Sequence, residues 1–267
     1  MEYRLLVLDI DGTLTNTKGE ITDRTVEAIN RAQQQGVKIV LASGRPTHGI
    51  IRVAEQLSMA QYGGYILSFN GGRIEEYPSR RQLFSSTFSR ELIPALYDLS
   101  RGRATIMSYR DNFIISENPE DEHAQIEIGI TKMDVLKVES FVEAVDFDPN
   151  KSLIVGDPEV VTAIGEQINN EYGEHLTAYR SFPYFLEVVP LGIDKALSLS
   201  SLIEQLGITR EEVIAIGDGF NDQTMIEFAG LGVAMANGQP CVREAADIVA
   251  LSNDEDGVAD IIDRYIL

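Results

Sequence analysis

The chain has 267 residues, of which 44% are hydrophobic, enough for one large domain or two smaller ones with packed cores. Its 42 acidic and 22 basic residues give a formal charge of −20, which argues against nucleic acid as a partner, because phosphate backbones are bound by clustered Lys and Arg. A single cysteine, Cys241, excludes an internal disulfide, and the three histidines lack the mutual spacing of metal ligands.

The sequence shows no sign of a targeted or membrane-spanning protein. The amino terminus has neither the basic start nor the long apolar core of a signal peptide. No apolar run approaches the roughly 20 residues of a membrane span. We therefore expect a cytoplasmic protein with no membrane partner, and the sequence predicts no particular oligomeric state.

The first motif directly follows a predicted buried strand. The apolar run Leu5–Leu8 is typical of a parallel strand covered by helices on both faces, and Asp9, Asp11 and Thr13 lie among the five residues that follow it. Ligands of open α/β sheets bind at the carboxyl ends of the strands. An ordinary capped turn would account for Asp-Gly alone, but two ionised carboxylates at this place need a compensating charge. We predict a divalent cation here, with Asp9 able to bind it through one oxygen and to act as a nucleophile through the other.

The next elements repeat this arrangement. A helix is predicted from its N-cap Thr22 to Gly36, and a second buried strand covers Val37–Ala42. Ser43 and Gly44 follow that strand, where a hydroxyl and an exposed amide at a helix start can hold a phosphate oxygen. Taken alone the motif is weak, since an ordinary Ser-Gly turn contains the same residues.

A change of pattern after Pro78 predicts an inserted domain. Strands over Tyr65–Phe69 and Arg73–Tyr77 flank the turn signal Asn70-Gly71-Gly72, which favours a hairpin. From residue 80 to residue 189, short alternating strands mix with helices, as in a separate α+β unit. Its two helices are expected at residues 90–99 and 158–172.

The earlier pattern returns after residue 189. A helix over Asp194–Leu206 and a strand over Val213–Ile216 precede the loop Gly217-Asp218-Gly219-Phe220-Asn221-Asp222. The predicted fold class is therefore α/β, with a Rossmann-like parallel-sheet core and an inserted α+β domain. The core is expected over residues 1–79 and 190–267, and the insertion over residues 80–189.

Acidic residues end two strands of the same predicted sheet, Asp9 with Asp11 and Asp218 with Asp222. Four neighbouring carboxylates are tolerable only with a cation among them, and hard oxygen ligands without clustered His or Cys favour magnesium over zinc. Lys195, at the start of a helix, can reach the same crevice. A nucleophilic carboxylate, a second acid, a hydroxyl, a lysine and an acidic metal site are the parts that phosphoryl transfer requires.

Together these motifs resemble those of the haloacid dehalogenase superfamily of aspartate-nucleophile phosphatases. Within it they are similar to the Cof-like sugar phosphatases, which carry a large α/β cap between the second and third motifs. The likeness covers essentially the whole chain and implies that residues 80–189 form a cap that influences substrate choice. The motifs that match in order and spacing are Asp9-Ile10-Asp11-Gly12-Thr13, Ser43-Gly44-Arg45, Lys195 and Gly217-Asp218-Gly219-Phe220-Asn221-Asp222.

The resemblance also implies a role for each site residue. Asp9 would become the aspartyl phosphate, and Asp11 would protonate the leaving group and later activate water. Magnesium would be held by Asp9, the main-chain carbonyl of Asp11 and Asp218, with Asp222 bound to it directly or through a water. The residues implied to bind the phosphoryl group are Ile10, Ser43, Gly44, Lys195 and Asn221.

We therefore expect a magnesium-dependent hydrolase of small phosphorylated metabolites, above all sugar phosphates. A phosphomutase uses the same first motif and returns the phosphoryl group to its substrate, so it stays an alternative. A non-enzymatic phosphoacceptor signalling module also surrounds a phosphorylated aspartate with acids, a hydroxyl and a lysine. Such modules are shorter and have no lid, so the insertion counts against this reading.

Overall fold

The computed structural model describes residues 3–267, which form two compact units. The first unit extends to Phe84 and resumes at Asp194, and the second runs from Ser85 to Ile193. Both boundaries fall a few residues later than predicted. The strand at Gln82–Ser85 joins the sheet of the first unit, and the Leu191 amide donates a hydrogen bond to a carbonyl of the second unit. The role of the second unit as a cap stays a prediction.

The helices and strands fall into three segments of the chain. The first segment contains β1 (Leu5–Leu8), α1 (Asp23–Gln34), β2 (Lys38–Ala42), α2 (Thr47–Gln56), α3 (Met59–Tyr62), β3 (Gly64–Ser68), β4 (Arg73–Tyr77) and β5 (Gln82–Ser85). The middle segment contains α4 (Ile93–Ser100), β6 (Thr105–Arg110), β7 (Phe113–Ser116), α5 (Glu122–Thr131), β8 (Asp134–Lys137), α6 (Phe141–Ala144), β9 (Ser152–Val155), α7 (Pro158–Tyr172), β10 (Leu176–Phe182) and β11 (Phe185–Pro190). The last segment contains α8 (Lys195–Leu206), β12 (Val213–Gly217), α9 (Gln223–Phe228), β13 (Leu231–Ala234), α10 (Pro240–Ala245), β14 (Ile248–Val249) and α11 (Gly257–Tyr265).

The first unit is built on an eight-stranded sheet in the order β14-β13-β12-β1-β2-β3-β4-β5. Pairing is parallel from β14 to β3, and β3 and β4 form an antiparallel hairpin. In the register of the central strands, Leu8 lies opposite both Leu41 and Ile216. The residues that follow β1, β2 and β12 therefore reach the same edge of the sheet, which is where the predicted motifs lie.

The continuous apolar run of β1 has a simple cause. Leu6 and Leu8 face a core that α1, α2 and α11 complete, whereas Leu5 and Val7 face a second core that α8, α9 and α10 complete. Both faces of the strand are thus covered, and alternation of polar and apolar residues disappears. The predicted N-cap is confirmed as well, since the Thr22 side chain accepts a hydrogen bond from the Thr25 amide.

The second unit contains a six-stranded sheet in the order β10-β11-β9-β6-β7-β8. Its pairs are antiparallel except β7 with β8, and α4, α6 and α7 share a core with it. The predicted mixture of α and β elements is confirmed. Among residues 3–267, no helix has the length and apolarity that crossing a bilayer requires.

The sequence patterns did not predict α5, α6 and β8 of the second unit, and α5 and β8 show the reason. The side chains that α5 buries are Ala124, Glu127 and Thr131, which are small or polar and so form no apolar stripe at helical spacing. The residues of β8 are all exposed, so its sequence does not alternate between apolar and polar positions. Both omissions have the same physical origin, because periodicity is visible only where apolar side chains are buried.

Candidate active site

Asp9 lies at the carboxyl end of the central strand β1. Its amide donates to the carbonyl of Ile216 at 3.0 Å, which continues the sheet by one residue, and 6% of the residue is exposed. The carboxylate is thereby held at the sheet edge with little contact with water. A buried carboxylate needs partners, and the neighbouring segments provide them.

Lys195, the first residue of α8, is buried among three oxygen acceptors. Its Nζ lies 2.7 Å from Asp9 Oδ1, 2.5 Å from Asp222 Oδ1 and 2.9 Å from the carbonyl oxygen of Ala42. Burial by itself lowers the pKa of the ammonium, but the carboxylates of Asp222 and Asp9 outweigh it and raise the pKa above its usual value. Lys195 is therefore a cation, and its three N–H groups match its three acceptors.

Asp218 joins the same group from the end of β12. Thr13 Oγ1 donates to Asp218 Oδ1 at 2.7 Å, and Gly12 adopts φ +84° beside it. A Cβ at position 12 would lie 2.5 Å from Asp218 Oδ2, so only glycine allows this close approach. Gly12 and Thr13 of the first motif therefore hold the side chain of Asp218, which belongs to the last motif.

The charges of this group are unbalanced. Burial, followed by the charge of Asp222, raises the pKa of Asp9 well above its ordinary value. Burial also raises the pKa of Asp218 from 3.8 to about 6, although the Thr13 hydrogen bond opposes this shift. Three aspartates share one lysine, so repulsion between the carboxylates adds to the effect of burial on both pKa values. A bound dication would offset this repulsion.

The donor atoms suit such an ion. Asp9, Asp218 and Asp222 each offer a carboxylate oxygen, and these oxygens lie within 4.8 Å of one another. An all-carboxylate group is typical of hard cations such as magnesium. Asp222 is also engaged elsewhere, since its Oδ2 accepts hydrogen bonds from the amides of Asp218 and Gly219 at 3.0 and 2.8 Å. Its carboxylate therefore shapes the loop that carries Asp218.

Asp11 differs from the other three acids. Its side chain is 55% exposed and forms a bidentate ion pair with Arg45, with Nε to Oδ2 at 2.8 Å and Nη2 to Oδ1 at 2.5 Å. The side chain thus lies outside the three-aspartate group, and a contribution to metal binding from its main chain stays a prediction. Arg45 was included in the motif Ser43-Gly44-Arg45, but the sequence predicted no role for it. Its position directly after Ser43-Gly44, at the end of the adjacent strand, was the available signal.

The predicted phosphate-binding residues occupy unlike environments. Ser43 is buried, and its Oγ accepts a hydrogen bond from the Arg45 amide at 3.1 Å. The Ile10 side chain belongs to the hydrophobic core, so only its main chain could meet a ligand. Asn221 is exposed and donates from Nδ2 to Asn70 Oδ1 at 2.8 Å. Gly44 packs against the Asn70 side chain.

Asn70 and Asn237 were not predicted as site residues. Asn70 was interpreted as part of a hairpin turn, which the antiparallel pairing of β3 with β4 confirms, and the loops of both asparagines resemble loops of the family without a role having been predicted for either side chain. Asn237, in the loop after β13, donates from Nδ2 to the Gly12 carbonyl at 2.8 Å and thus supports the first motif. No local pattern distinguishes such asparagines from ordinary turn residues.

The raised pKa of Asp218, which comes mainly from its burial, leads to a prediction about stability. Folding raises the pKa of the Asp218 carboxyl group from 3.8 to about 6. The folded protein therefore binds this proton more tightly than the unfolded chain does, and the stability of the fold falls as the pH rises through that interval. In EDTA, the Asp218→Asn variant should match wild type near pH 4 and exceed it by on the order of 3 kcal/mol above pH 7. Urea unfolding across this pH range measures the difference. Parallel curves for the two proteins would contradict the expectation.

Comparison with known proteins agrees with the geometry. The family described as haloacid dehalogenase-like hydrolase matches residues 6–262. A solved haloacid dehalogenase-like hydrolase from Bacteroides thetaiotaomicron is 47% identical, covers 98% of this chain and 99% of its own, and superposes with a TM-score of 0.96. The HAD subclass IIB sugar phosphatase BT4131 is 25% identical, with 98% of each chain covered and a TM-score of 0.83.

A curated relative gives the same indication. The 5-amino-6-(5-phospho-D-ribitylamino)uracil phosphatase YcsE of Bacillus subtilis is 32% identical over 100% of this chain and 97% of its own length. The family match covers both segments of the first unit and all of the second. The chain therefore belongs to the haloacid dehalogenase-like hydrolase family, and it is an enzyme of the phosphatase type.

Proposed function

We propose that the protein is a magnesium-dependent phosphatase of small phosphorylated metabolites, above all sugar phosphates, which works through an aspartyl phosphate at Asp9. The observation that carries this proposal is the buried Asp9 carboxylate, whose Oδ1 is bonded to Lys195 within a group of three aspartates. The name of BT4131 describes a sugar phosphatase and that of YcsE a phosphatase of a phosphorylated ribitylamino compound. Both support a small phosphorylated substrate.

The first half of the reaction needs a nucleophile and an acid. Asp9 attacks phosphorus through a carboxylate oxygen, the new O–P bond forms, and the bond to the substrate oxygen breaks. For this step Asp11 must first leave its ion pair with Arg45 and take a proton from solvent; it then gives that proton to the departing alkoxide, which leaves as an alcohol. Ser43 and Asn221 donate to the phosphoryl oxygens, where negative charge accumulates in the transition state. Lys195 donates there as well once the phosphoryl group replaces one of its three present acceptors.

The second half reverses the proton transfer. Asp11, now a carboxylate oriented by Arg45, takes a proton from a water that attacks the phosphorus of the aspartyl phosphate. The acyl–phosphate bond breaks at the P–O bond, inorganic phosphate leaves, and Asp9 is regenerated. The exposure of Asp11 suits this double role, since a group that exchanges protons with substrate and water must be accessible to both.

Magnesium would be held by Asp9, Asp218 and the main chain of Asp11, with Asp222 nearby. When bound, it supplies positive charge that offsets the repulsion between these carboxylates and the substrate phosphate. The match of three carboxylate oxygens within 4.8 Å supports this assignment. With a formal charge of −20, the protein needs such a local cationic centre to accept an anionic substrate.

A substrate screen tests the proposal. Wild-type protein with magnesium should release phosphate from at least one class of sugar phosphate, and excess EDTA should stop the release. Activity that survives EDTA unchanged would contradict the metal assignment. Formation of an isomer with little free phosphate would support a phosphomutase instead, and no turnover across a broad panel of phosphomonoesters would refute the enzymatic proposal.

A further inference from the structure

The loop between β3 and β4 contacts three of the motif segments. The amide of Phe69 donates to the carbonyl of Arg45 at 3.0 Å, and the amide of Asn70 donates to the carbonyl of Ser43 at 3.0 Å. Ser198, on the same helix as the site lysine, donates from Oγ to the carbonyl of Gly71. The Asn70 side chain accepts from Asn221. Three residues of one turn, Phe69, Asn70 and Gly71, are thus bonded to the segments that carry the second, third and fourth motifs.

The backbone of this loop is strained. Phe69 at φ 55° and Asn70 at φ 54° are both left-handed, and Gly71 follows at φ +100°. Asparagine tolerates this conformation better than most residues, but phenylalanine does not. At Gly71 a Cβ would collide with the carbonyl oxygen of Asp194, so glycine is required there. Strain of this kind persists where the surrounding structure imposes it, and it clusters at functional positions.

The Asn70 amide has a definite place within this loop. The residue is 8% exposed, and an added Cβ on Gly44 would lie 3.1 Å from both Oδ1 and Nδ2 of Asn70, so its amide packs on the second motif. From there Oδ1 accepts the hydrogen bond of Asn221 Nδ2 at 2.8 Å. Asn221 is itself exposed, and this bond fixes the rotation of its amide.

We propose that Asn70 is a positioning residue, which orients the Asn221 amide so that its remaining N–H group meets a phosphoryl oxygen. The inference rests on the proposed function, since it concerns the same phosphate site. One N–H of the Asn221 amide is committed to Asn70, and the other is therefore aimed in a fixed direction. The left-handed backbone fixes the position of Asn70, and the Asn70 side chain orients the Asn221 amide.

Substituting glycine or alanine at position 70 distinguishes the contribution of the backbone conformation from that of the Asn70 side chain. Asn70→Gly keeps the left-handed conformation at no steric cost and removes only the amide, whereas Asn70→Ala also adds strain. Both variants should lose about 10- to 100-fold in kcat/KM, because one oriented hydrogen bond to a charged group is lost. The alanine variant should unfold at a lower temperature than the glycine variant, because strain at φ 54° is added only by alanine. Wild-type kinetics of Asn70→Gly would overturn the proposal.

A double-mutant cycle with Asn221→Ala distinguishes an Asn70 that orients Asn221 from an Asn70 that only stabilises the fold. If Asn70 acts through Asn221, the double variant Asn70→Gly/Asn221→Ala should lose no more kcat/KM than Asn221→Ala alone. Losses that multiply would overturn the inference. As a matched control, Asn112→Ala removes an amide bonded to Asp134 in the second unit and should leave kcat/KM unchanged in both backgrounds.

Binding of inorganic phosphate distinguishes this inference from the proposed function. The same cycle is measured by calorimetry with phosphate and magnesium, which needs no turnover. Hydrolysis without coupling between Asn70 and Asn221 overturns only the positioning role. Coupled phosphate binding without hydrolysis overturns only the phosphatase, and the absence of both overturns both.

Discussion

Replacing Asp9 with asparagine is expected to abolish phosphate release while leaving the fold at least as stable as wild type. The amide nitrogen and oxygen cannot form the phosphoenzyme that a carboxylate forms, so kcat should fall by on the order of 10⁴-fold or more. The change is nearly isosteric, and the asparagine oxygen can still accept the hydrogen bond that Lys195 donates at 2.7 Å. Phosphate release with the best substrate of the screen measures the first effect.

The stability of this variant follows from electrostatics. Burial and the charge of Asp222 raise the pKa of Asp9, which means that the ionised carboxylate weakens the metal-free fold at neutral pH. Removing that charge should leave the urea midpoint in EDTA unchanged or higher. Asp98→Asn, at an exposed position of α4, is the matched control and should alter neither activity nor stability. A marked loss of stability in Asp9→Asn would show that the carboxylate holds the fold together.

Replacing Lys195 with methionine should have the opposite effect on stability. The ammonium is the buried cation between Asp9 and Asp222, at 2.7 and 2.5 Å. Breaking a buried ion pair by removing one partner typically costs about 3–5 kcal/mol, because the other charge is left uncompensated. Activity should also fall by on the order of 10²–10³-fold, as expected when a charged donor to the phosphoryl group is lost. Urea unfolding and phosphate release measure the two effects.

A second substitution tests whether unpaired carboxylates cause the loss of stability in Lys195→Met. If uncompensated carboxylates destabilise Lys195→Met, then adding Asp222→Asn should restore part of the stability, although Asp222→Asn by itself also loses a partner of Lys195. Lys18→Met, at an exposed position, serves as the control for loss of a positive charge and should behave like wild type. Equal stability of Lys195→Met and wild type would refute the assigned role of the ammonium.

Much of the first unit could be predicted from the sequence because its signals are local. The run Leu5–Leu8 has two covered faces, and the predicted hairpin over residues 65–77 contains the turn residues that such a connection needs. In the second unit, α5 and β8 have no such signal because they bury few apolar side chains. The unit boundary was misplaced at β5 for a related reason. A short strand that follows Pro78 contains nothing to indicate which sheet it will join.

The acidic residues of the site could also be predicted, since parallel strands bring their carboxyl ends to one edge. That rule placed Asp9 near Asp218 without any knowledge of side-chain directions. It did not separate Asp11 from the other acids. The exposed Asp11 carboxylate is paired with Arg45, and its side chain lies apart from the three-aspartate group.

From the sequence we could predict the family, the positions along the chain of the strands that carry the motifs, and the chemical types of the site residues. Each of these depends on short segments with their own local patterns. Which oxygen accepts from which donor is visible only in the folded protein. Asp222 uses one oxygen for Lys195 and the other for two amides, and Asn70 meets Asn221 across 151 positions of the chain. Such pairings depend on the backbone dihedrals of loops and on the packing between distant segments, and no local pattern encodes either.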